Sequence, residues 1–449
     1  MTKLDIFKQS MKDRRVAVIG IGISNIPLIR FLVQCGAVVS AYDKRTTNEM
    51  QDELAELAAF DITYHLGDDY LAHLDAEVIF KTPGMRYDAP ELLAAKAKGS
   101  IVTSEMEVFF DLCPAKITAV TGSDGKTTTT TLIAEMLKAQ GRKVWLGGNI
   151  GNPLLSDVGN IAPDDDVVLE LSSFQLHTMK VSPHIAVITN ITPNHLDMHK
   201  DMAEYVDAKK NIMRYQSADS VLVYNCENAF TNEIGQEAKG SLVSFGRESG
   251  DLYVQDGAIH VQGKRILELS DIRIPGMHNV ENYMAAIPAV IGRVTWDTMR
   301  QVARTFAGVP HRIEFVRELD GVSYYNSSID SSPNRTKNTL AVFEQKIILI
   351  SGGKDKGIPY DEIGPVIAEN VKKLILIGAT AGKINDAVKN TGVDVETIFC
   401  ETYEHVVQTA QKIAEPGDIV VLSPASTSFD MFKNFEQRGE LFKELVMEL

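Results

Sequence analysis

The sequence predicts an α/β protein with more than one parallel sheet. Short β-branched runs recur at 16–19, 38–42 and 78–80, at 117–120, 167–171 and 185–189, and at 347–350, 374–377 and 419–422. Each is followed by glycine or a polar turn and then by a helical pattern, the alternation that builds parallel sheets. The runs outnumber the strands of one ordinary sheet. The chain has 449 residues, and about 100–200 residues per domain implies two to four domains.

Two joints stand out. FFDLCPAK (109–116) brings an apolar helix end to Pro114, and FAGVPHR (306–312) sets glycine and proline before a new strand-rich region. They divide the chain into 1–110, 111–309 and 310–449. Within 242–274, DLYVQDGAIHVQGKRILEL alternates apolar and polar residues around Asp256-Gly257 and Gly263-Lys264. That pattern predicts antiparallel hairpins at an edge of the middle domain.

Apolar residues at 44% and charged residues at 23% are an ordinary globular balance. A net charge of −15 argues against a broad grip on nucleic acid or anionic membrane. No stretch approaches about 18 uninterrupted apolar residues, so no membrane span is expected. MTKLDIFKQSMKDRR carries acids and no continuous apolar segment, unlike a secretory signal. Cys35, Cys113, Cys226 and Cys400 lie far apart with no metal-type spacing, as reduced thiols do. A cytoplasmic monomer is expected.

VAVIGIGISNIPLI (16–29) places a strand, Gly20-x-Gly22 and a helix start in the order of a dinucleotide fingerprint, with Asp43 at the end of the next strand. Asn25 stands where the third glycine belongs. A tight structural turn explains a lone G-x-G nearly as well. The better functional expectation is a helix N-terminus facing a phosphate-bearing group. FKTPGMRY (80–87) follows another strand and adds backbone donors from the same edge.

TAVTGSDGKTTTT (118–130) runs from a strand through a Gly-Lys-Thr loop into a helix. Its upstream glycine is Gly122, which makes the loop two residues shorter than the common G-x-x-x-x-G-K-[ST] pattern. A threonine-rich helix start capped by Ser123 or Asp124 accounts for the loop alone; the strand-loop-helix setting favours nucleotide. Gly122 and Gly125 let backbone N–H groups converge on phosphate, Lys126 neutralises it, and the Thr127 hydroxyl suits magnesium.

Glu170 interrupts an otherwise apolar strand in LELSSFQL (169–176), where a carboxylate is costly unless paired or metal-bound. TNITPNHLDMH (189–199) carries His195, Asp197 and His199. One histidine serving a magnesium site is preferred over zinc, with the others on the surface. In AEYVDAKKNIMRYQ (203–216) a helical wheel puts Lys209 near the middle of an arc of Tyr205, Val206, Ile212 and Met213, and Lys210 at its edge. On spacing alone a snorkelling lysine suffices.

Together TGSDGKT, GGNIGNP (147–153), LELSSFQL, NITPNHLDMH, EYVDAKKNI, PGMHNVENYMAA (275–286), PHR (310–312), SGGKDKG (351–357) and LSPASTSFDMFKNFEQRG (422–439) resemble the Mur ligase family, in order and along the whole chain. The resemblance implies a Rossmann-like N-terminal domain, a central P-loop-type ATPase domain with a parallel sheet plus a small antiparallel sheet, and a Rossmann-like C-terminal domain. It implies ATP and Mg2+, with Gly122, Ser123, Asp124, Gly125, Lys126, Thr127 and Thr128 on the phosphates. Asn279, Asn282 and Arg312 complete the ATP site. Thr127, Glu170, His195 and a carbamoylated Lys209 become the magnesium ligands. Ser24, Asn25, Asp43, Lys44 and Asn149 fall where the family holds its UDP-linked substrate, and Lys356, Ser428 and Phe435 where one branch holds D-glutamate. Ser327 stands at a commonly acidic position on the ribose side, with Asp330 nearby.

The implied activity joins D-glutamate to UDP-N-acetylmuramoyl-L-alanine through an acyl phosphate, with Lys126, Asn149, His195 and Lys209 as the catalytic group and closure about 306–312 completing the site. Rivals stay open beside it. Another ligase of the family or a folylpolyglutamate synthase would share the ATP motifs and differ in the acceptor. A P-loop kinase would yield ADP without an amide. A nicotinamide dehydrogenase leaves TGSDGKT unexplained, and a non-catalytic nucleotide-binding protein would show no acceptor-dependent turnover.

Overall fold

The computed structural model describes residues 1–22, 25–193, 198–355 and 357–449. The first sheet contains β1 (Arg15–Ile19), β2 (Val38–Asp43), β3 (Ile62–Leu66), β4 (Val78–Phe80) and β5 (Ile101–Thr103). Its pairings are parallel and its order is β3-β2-β1-β4-β5. The order reverses between β1 and β4. Open parallel sheets bind ligands at such a switch, beyond the carboxyl ends of the strands.

The second sheet has β6 (Ile117–Thr121), β7 (Val144–Gly148), β8 (Asp166–Glu170), β9 (Ile185–Ile188), β10 (Val221–Asn225), β11 (Ser241–Phe245), β12 (Leu252–Gln255), β13 (Ala258–Val261) and β14 (Lys264–Glu268). The order is β14-β13-β12-β11-β10-β9-β6-β8-β7. β6 runs parallel to both β8 and β9, so the loop after β6 opens at a second switch point. Every residue of β6 and β8 is buried, as strands covered on both faces must be. The expected hairpins form across β12, β13 and β14. They join β11 through a parallel pairing, so one mixed sheet holds both kinds of strand.

The third sheet has β15 (Glu314–Leu319), β16 (Val322–Asn326), β17 (Ile347–Ser351), β18 (Val371–Ile377), β19 (Glu396–Cys400) and β20 (Ile419–Leu422), in the order β15-β16-β20-β17-β18-β19. Only β15 and β16 pair antiparallel. Alternation sends Leu349, Leu374 and Leu376 to one core and Ile348, Ile350, Ile375 and Ile377 to the other.

Residues 1–269 with 281–302 form one compact unit, and residues 270–280 with 303–449 form another. Within the first unit a single core links the first two sheets. Val16, Val39 and Phe80 belong to the same cluster as Ile117, Val167 and Leu222, and Phe109, Leu112 and Ala115 of the connecting segment fill it. The cysteines are all free. Among the described residues no helix is long and apolar enough to cross a membrane.

Arg86, in the loop after β4, ties that loop to the second sheet's helices. It donates to the Glu204 carboxylate at 3.0 and 3.4 Å, to Asp88 at 2.8 and 3.0 Å, and to the Met198 carbonyl at 2.7 Å. Arg86 thereby lowers the Glu204 carboxyl from 4.5 to about 2. A depressed folded-state pKa gives stability that is complete above the unfolded value and is lost as pH falls through the folded one. Calorimetry is therefore expected to find the first unit's thermal midpoint falling more steeply between pH 4.5 and about 2 in the natural chain than in Glu204→Gln. Parallel pH profiles would remove the latch from the stability of this unit.

Candidate functional site

β6 ends at Thr121, and residues 122–125 turn the chain into the helix Lys126–Ala139. Glycine is required here by space. A Cβ on Gly122 would sit 1.9 Å from Thr189 Oγ1, and one on Gly125 would sit 2.2 Å from Asn282 Oδ1. The first N–H groups of a helix have no intrahelical acceptor, so a loop packed this closely before a helix start is a ready anion cradle.

The loop is held from β9's end. Ser123 N donates to Asn190 O at 2.8 Å, Asp124 N to Asn190 Oδ1 at 3.0 Å, and Thr189 Oγ1 to Asp124 O at 2.6 Å. Ser123 Oγ lies 2.9 Å from the Tyr205 hydroxyl and donates to Thr192 O at 2.9 Å. Lys126 Nζ folds back to Ser123 O at 2.8 Å. Thr128 is half-buried one turn on. Asn282 reaches the same helix, accepting from Thr129 Oγ1 at 3.3 Å.

Glu170 ends β8 in register with Val120 of β6. Its side chain accepts from Thr127 Oγ1 at 2.7 Å and from Asn149 Nδ2 at 2.8 Å, and its carbonyl accepts from Asn149 N at 2.8 Å. Glu170 is 2% exposed, and among the described residues no Lys, Arg or His pairs with it. A buried carboxylate held by neutral donors beside a hydroxyl suits a hard cation that takes oxygen ligands. Among the described residues no three His, Cys, Asp or Glu gather into a metal cluster. Thr127 and Glu170 are the oxygen donors that these residues offer to such a cation.

Lys209 comes from the helix Met202–Arg214, which Asp201 caps by accepting from Glu204 N at 2.8 Å. Tyr205, Ala208, Lys209, Asn211, Ile212 and Met213 are its buried residues, while Lys210 reaches the edge and pairs with Glu237. Lys209 is 1% exposed, donates to Gly122 O at 2.6 Å, and lies 4.7 Å from the centre of the Tyr205 ring. Burial, reinforced by Lys126, drives its pKa well below the ordinary lysine value against the pull of Glu170 and Asp124. Burial thus favours the neutral form of the amine, which is its nucleophilic form.

Three family profiles match the chain: Mur ligase MurD-like N-terminal domain at 14–104, Mur ligase middle domain at 120–290, and the Mur ligase glutamate ligase domain at 311–426. The chain belongs to the Mur ligase family. This Mur ligase is 56% identical to the UDP-N-acetylmuramoylalanine–D-glutamate ligase of Acetivibrio thermocellus, over 99% of this chain and 98% of the relative. It is 50% identical to the protein of the same name from Clostridium perfringens, over 98% of each. The fold is similar to that of UDP-N-acetylmuramate-alanine ligase from Thermotoga maritima, with a TM-score of 0.60 at 19% identity over 97% and 99% of the two chains. MurF from Acinetobacter baumannii aligns with a TM-score of 0.58 at 18% identity over 84% and 92%.

In the N-terminal sheet of this Mur ligase, Asn25 donates to Ile19 O at 3.1 Å and Gly20 O at 2.8 Å, stapling the turn from which a third glycine is missing. Asp43 accepts from Ile21 N at 2.8 Å and is clasped by Arg45, whose Nε lies 3.1 Å from Oδ1 and whose NH2 donates to Ile21 O at 2.7 Å. Lys44 is exposed. Arg45 escaped the sequence reading; its adjacency to Asp43-Lys44 was the available signal. Ser24, His195 and Lys356 lie outside the described residues.

The remaining expected residues belong to the second unit. Asn279 donates to Pro275 O at 2.6 Å, and Arg312 is exposed at a bridge with Val309. Ser428 is buried, and Phe435 opens the helix Phe435–Glu448 with its carbonyl accepting from Ser328 Oγ at 2.8 Å. Arg438, quoted within the final motif and given no role there, is 1% exposed and donates to Ser328 O at 2.7 Å and Ser426 O at 3.1 Å. Asp330 is also committed internally, accepting from Thr339 at 2.6 Å and Ser423 at 2.7 Å, and Ser327 is fully buried.

One expectation is corrected. His199 was expected on the surface and is instead 3% exposed, stacked on Phe174 with ring centres 5.2 Å apart, its Nε2 3.0 Å from Ser173 Oγ. The aromatic neighbours come from other elements, so the local polarity of the segment misled.

Gly148 sits between Asn149 and the β7–β8 pairing at φ +94°, and a Cβ there would lie 2.1 Å from Glu170 O. Gly148→Ala is expected to destabilise the unit by about 1–3 kcal/mol. Gly141→Ala meets nothing within 4 Å and carries only the strain of φ +83°. Urea midpoints check this: equal shifts would assign the cost to backbone strain rather than to contact.

Proposed function

We propose that this Mur ligase forms an amide between the carboxylate of UDP-N-acetylmuramoyl-L-alanine and the amine of D-glutamate, hydrolysing ATP to ADP and phosphate. The observation that carries the chemistry is the pairing of the glycine loop with the buried Glu170 and the buried Lys209 amine. The acceptor follows from the full-length similarity to D-glutamate ligases.

The substrate carboxylate attacks the γ-phosphorus of ATP, ADP leaves, and an acyl phosphate forms. The amine of D-glutamate attacks the acyl carbon, the tetrahedral intermediate expels phosphate, and the amine proton passes to solvent. Phosphoryl transfer depends mainly on positioning and charge neutralisation. Residues 122–128 cradle the phosphates, Lys126 turns from Ser123 O to the phosphate oxygens, and Asn279, Asn282 and Arg312 complete the ATP site. Thr127, Glu170, His195 and Lys209 would hold magnesium, which when bound neutralises phosphate charge.

The neutral Lys209 amine adds to carbon dioxide and releases a proton. The resulting carbamate is an anionic oxygen donor, which an ammonium is not. Asn149 holds Glu170 and the muramoyl side of the substrate. Ser24, Asn25, Asp43 and Lys44 take the uridine diphosphate, and Lys356, Ser428 and Phe435 take D-glutamate. We assign the three functional regions to 1–110, 111–309 and 310–449.

Phosphate release with ATP, magnesium and UDP-N-acetylmuramoyl-L-alanine is expected to require D-glutamate, and Lys126→Ala to lower it by about three orders of magnitude. Release independent of any amino acid, or near-normal release by Lys126→Ala, would overturn the assignment. Lys209→Ala is expected to lose activity and to regain part of it with short-chain carboxylic acids. Mass spectrometry without a carbamate, together with no such recovery, would remove that role.

A further inference from the structure

Away from the glycine loop, a cleft of about 770 Å³ opens between the β5 edge of the first sheet and the helix Met202–Arg214. That volume lies within the range of small-molecule sites, roughly 300–1,000 Å³. None of the residues assigned above to ATP, magnesium or the two substrates lines it.

Its charge is unlike that of the chain. The protein carries a net charge of −15, yet Lys81, Lys96 and Lys180 all line this cleft. Lys81 is 4% exposed, and among the described residues its Nζ makes one hydrogen bond, 3.5 Å long, to the Met85 carbonyl. Among the described residues none of the three lysines has a carboxylate within ion-pair distance. Of the cleft's acids, Asp207 pairs with Arg214, and Glu107 accepts from Ser104 Oγ at 2.9 Å and acts on Lys81 only through space, beyond ion-pair distance. Thr178 also lines the cleft, and among the described residues its buried hydroxyl has no hydrogen-bond partner.

A buried ammonium with one long hydrogen bond and a buried hydroxyl with none are costly and are rarely left so unless a ligand supplies acceptors. We infer that this cleft binds a phosphate-bearing small molecule, with Lys81 and Thr178 at its floor and Lys96 and Lys180 at its rim. Phosphate oxygens accept several charge-assisted hydrogen bonds from ammonium groups and also take a hydroxyl. Burial lowers the Lys81 pKa against the pull of Glu107, and an anion beside it would shift the pKa back up. The inference does not rest on the reaction proposed above.

Inorganic tripolyphosphate is the probe, titrated calorimetrically into the full chain at fixed ionic strength. Lys126→Ala is used as background because the glycine loop also attracts phosphate. Binding is expected to persist in Lys126→Ala and to weaken at least about tenfold when Lys96→Gln and Lys180→Gln are added. Both lysines are exposed, so their replacement spares the fold even if Lys81→Met does not. Hydrogen exchange is expected to slow at 177–181 and 207–215 with the probe. Loss of all binding in Lys126→Ala, unchanged affinity in the triple variant, or protection confined to 122–128 would each overturn the site. The Lys126→Ala activity assay fails or succeeds independently of these outcomes.

Discussion

Glu170 and Lys209 are both withdrawn from water beside one glycine turn, and neither is neutralised by the other. Burying a charge without a counter-charge costs several kcal/mol, and the expense falls when neutral donors or a changed protonation state intervene. The first unit supplies both remedies. Thr127 and Asn149 donate to Glu170, while Lys209 gives its proton preference away and rests on the Gly122 carbonyl. The β6–β8 register, the tight approach of β7 at Gly148 and the Asp201 cap all serve to hold these groups where solvent cannot reach them.

Much of this was legible in the residues. Strands covered on both faces read as nearly continuous apolar runs, so β6, β8, β17 and β20 announce themselves, and Glu170 is conspicuous as a charge closing such a run. Lys209 was legible through helical period alone, since the wheel places it among the residues that turn out to be buried. The antiparallel strands were legible from alternation, but their attachment to β11 was not, because a single parallel pairing leaves no local pattern.

What the sequence concealed depends on distant partners. Arg45 clasps Asp43 and at the same time reaches Ile21 and Glu53, and no local spacing reports that convergence. His199 owes its burial to Phe174 and Tyr205 rather than to its own polar surroundings. In the second unit Asp330 looks like a spare acid in a serine-rich stretch. Its burial raises its pKa against the pull of Thr339 and Ser423, whose donated hydrogen bonds make it part of the scaffold. Arg438 behaves alike: a guanidinium enclosed by backbone carbonyls braces the turn around Ser426 and Ser328.

The second sheet ends at β14, whose outer side pairs with no strand among the described residues. An unpaired margin of this kind invites a foreign strand to extend it. Here Lys264 and Arg265 stand exposed on that margin, and the β13–β14 ladder is broken by an irregularity at Ile259/His260. An incoming strand would have to bury an ammonium and a guanidinium and match a kinked template. Charge and kink together make this margin of the nine-stranded sheet a poor template for accretion.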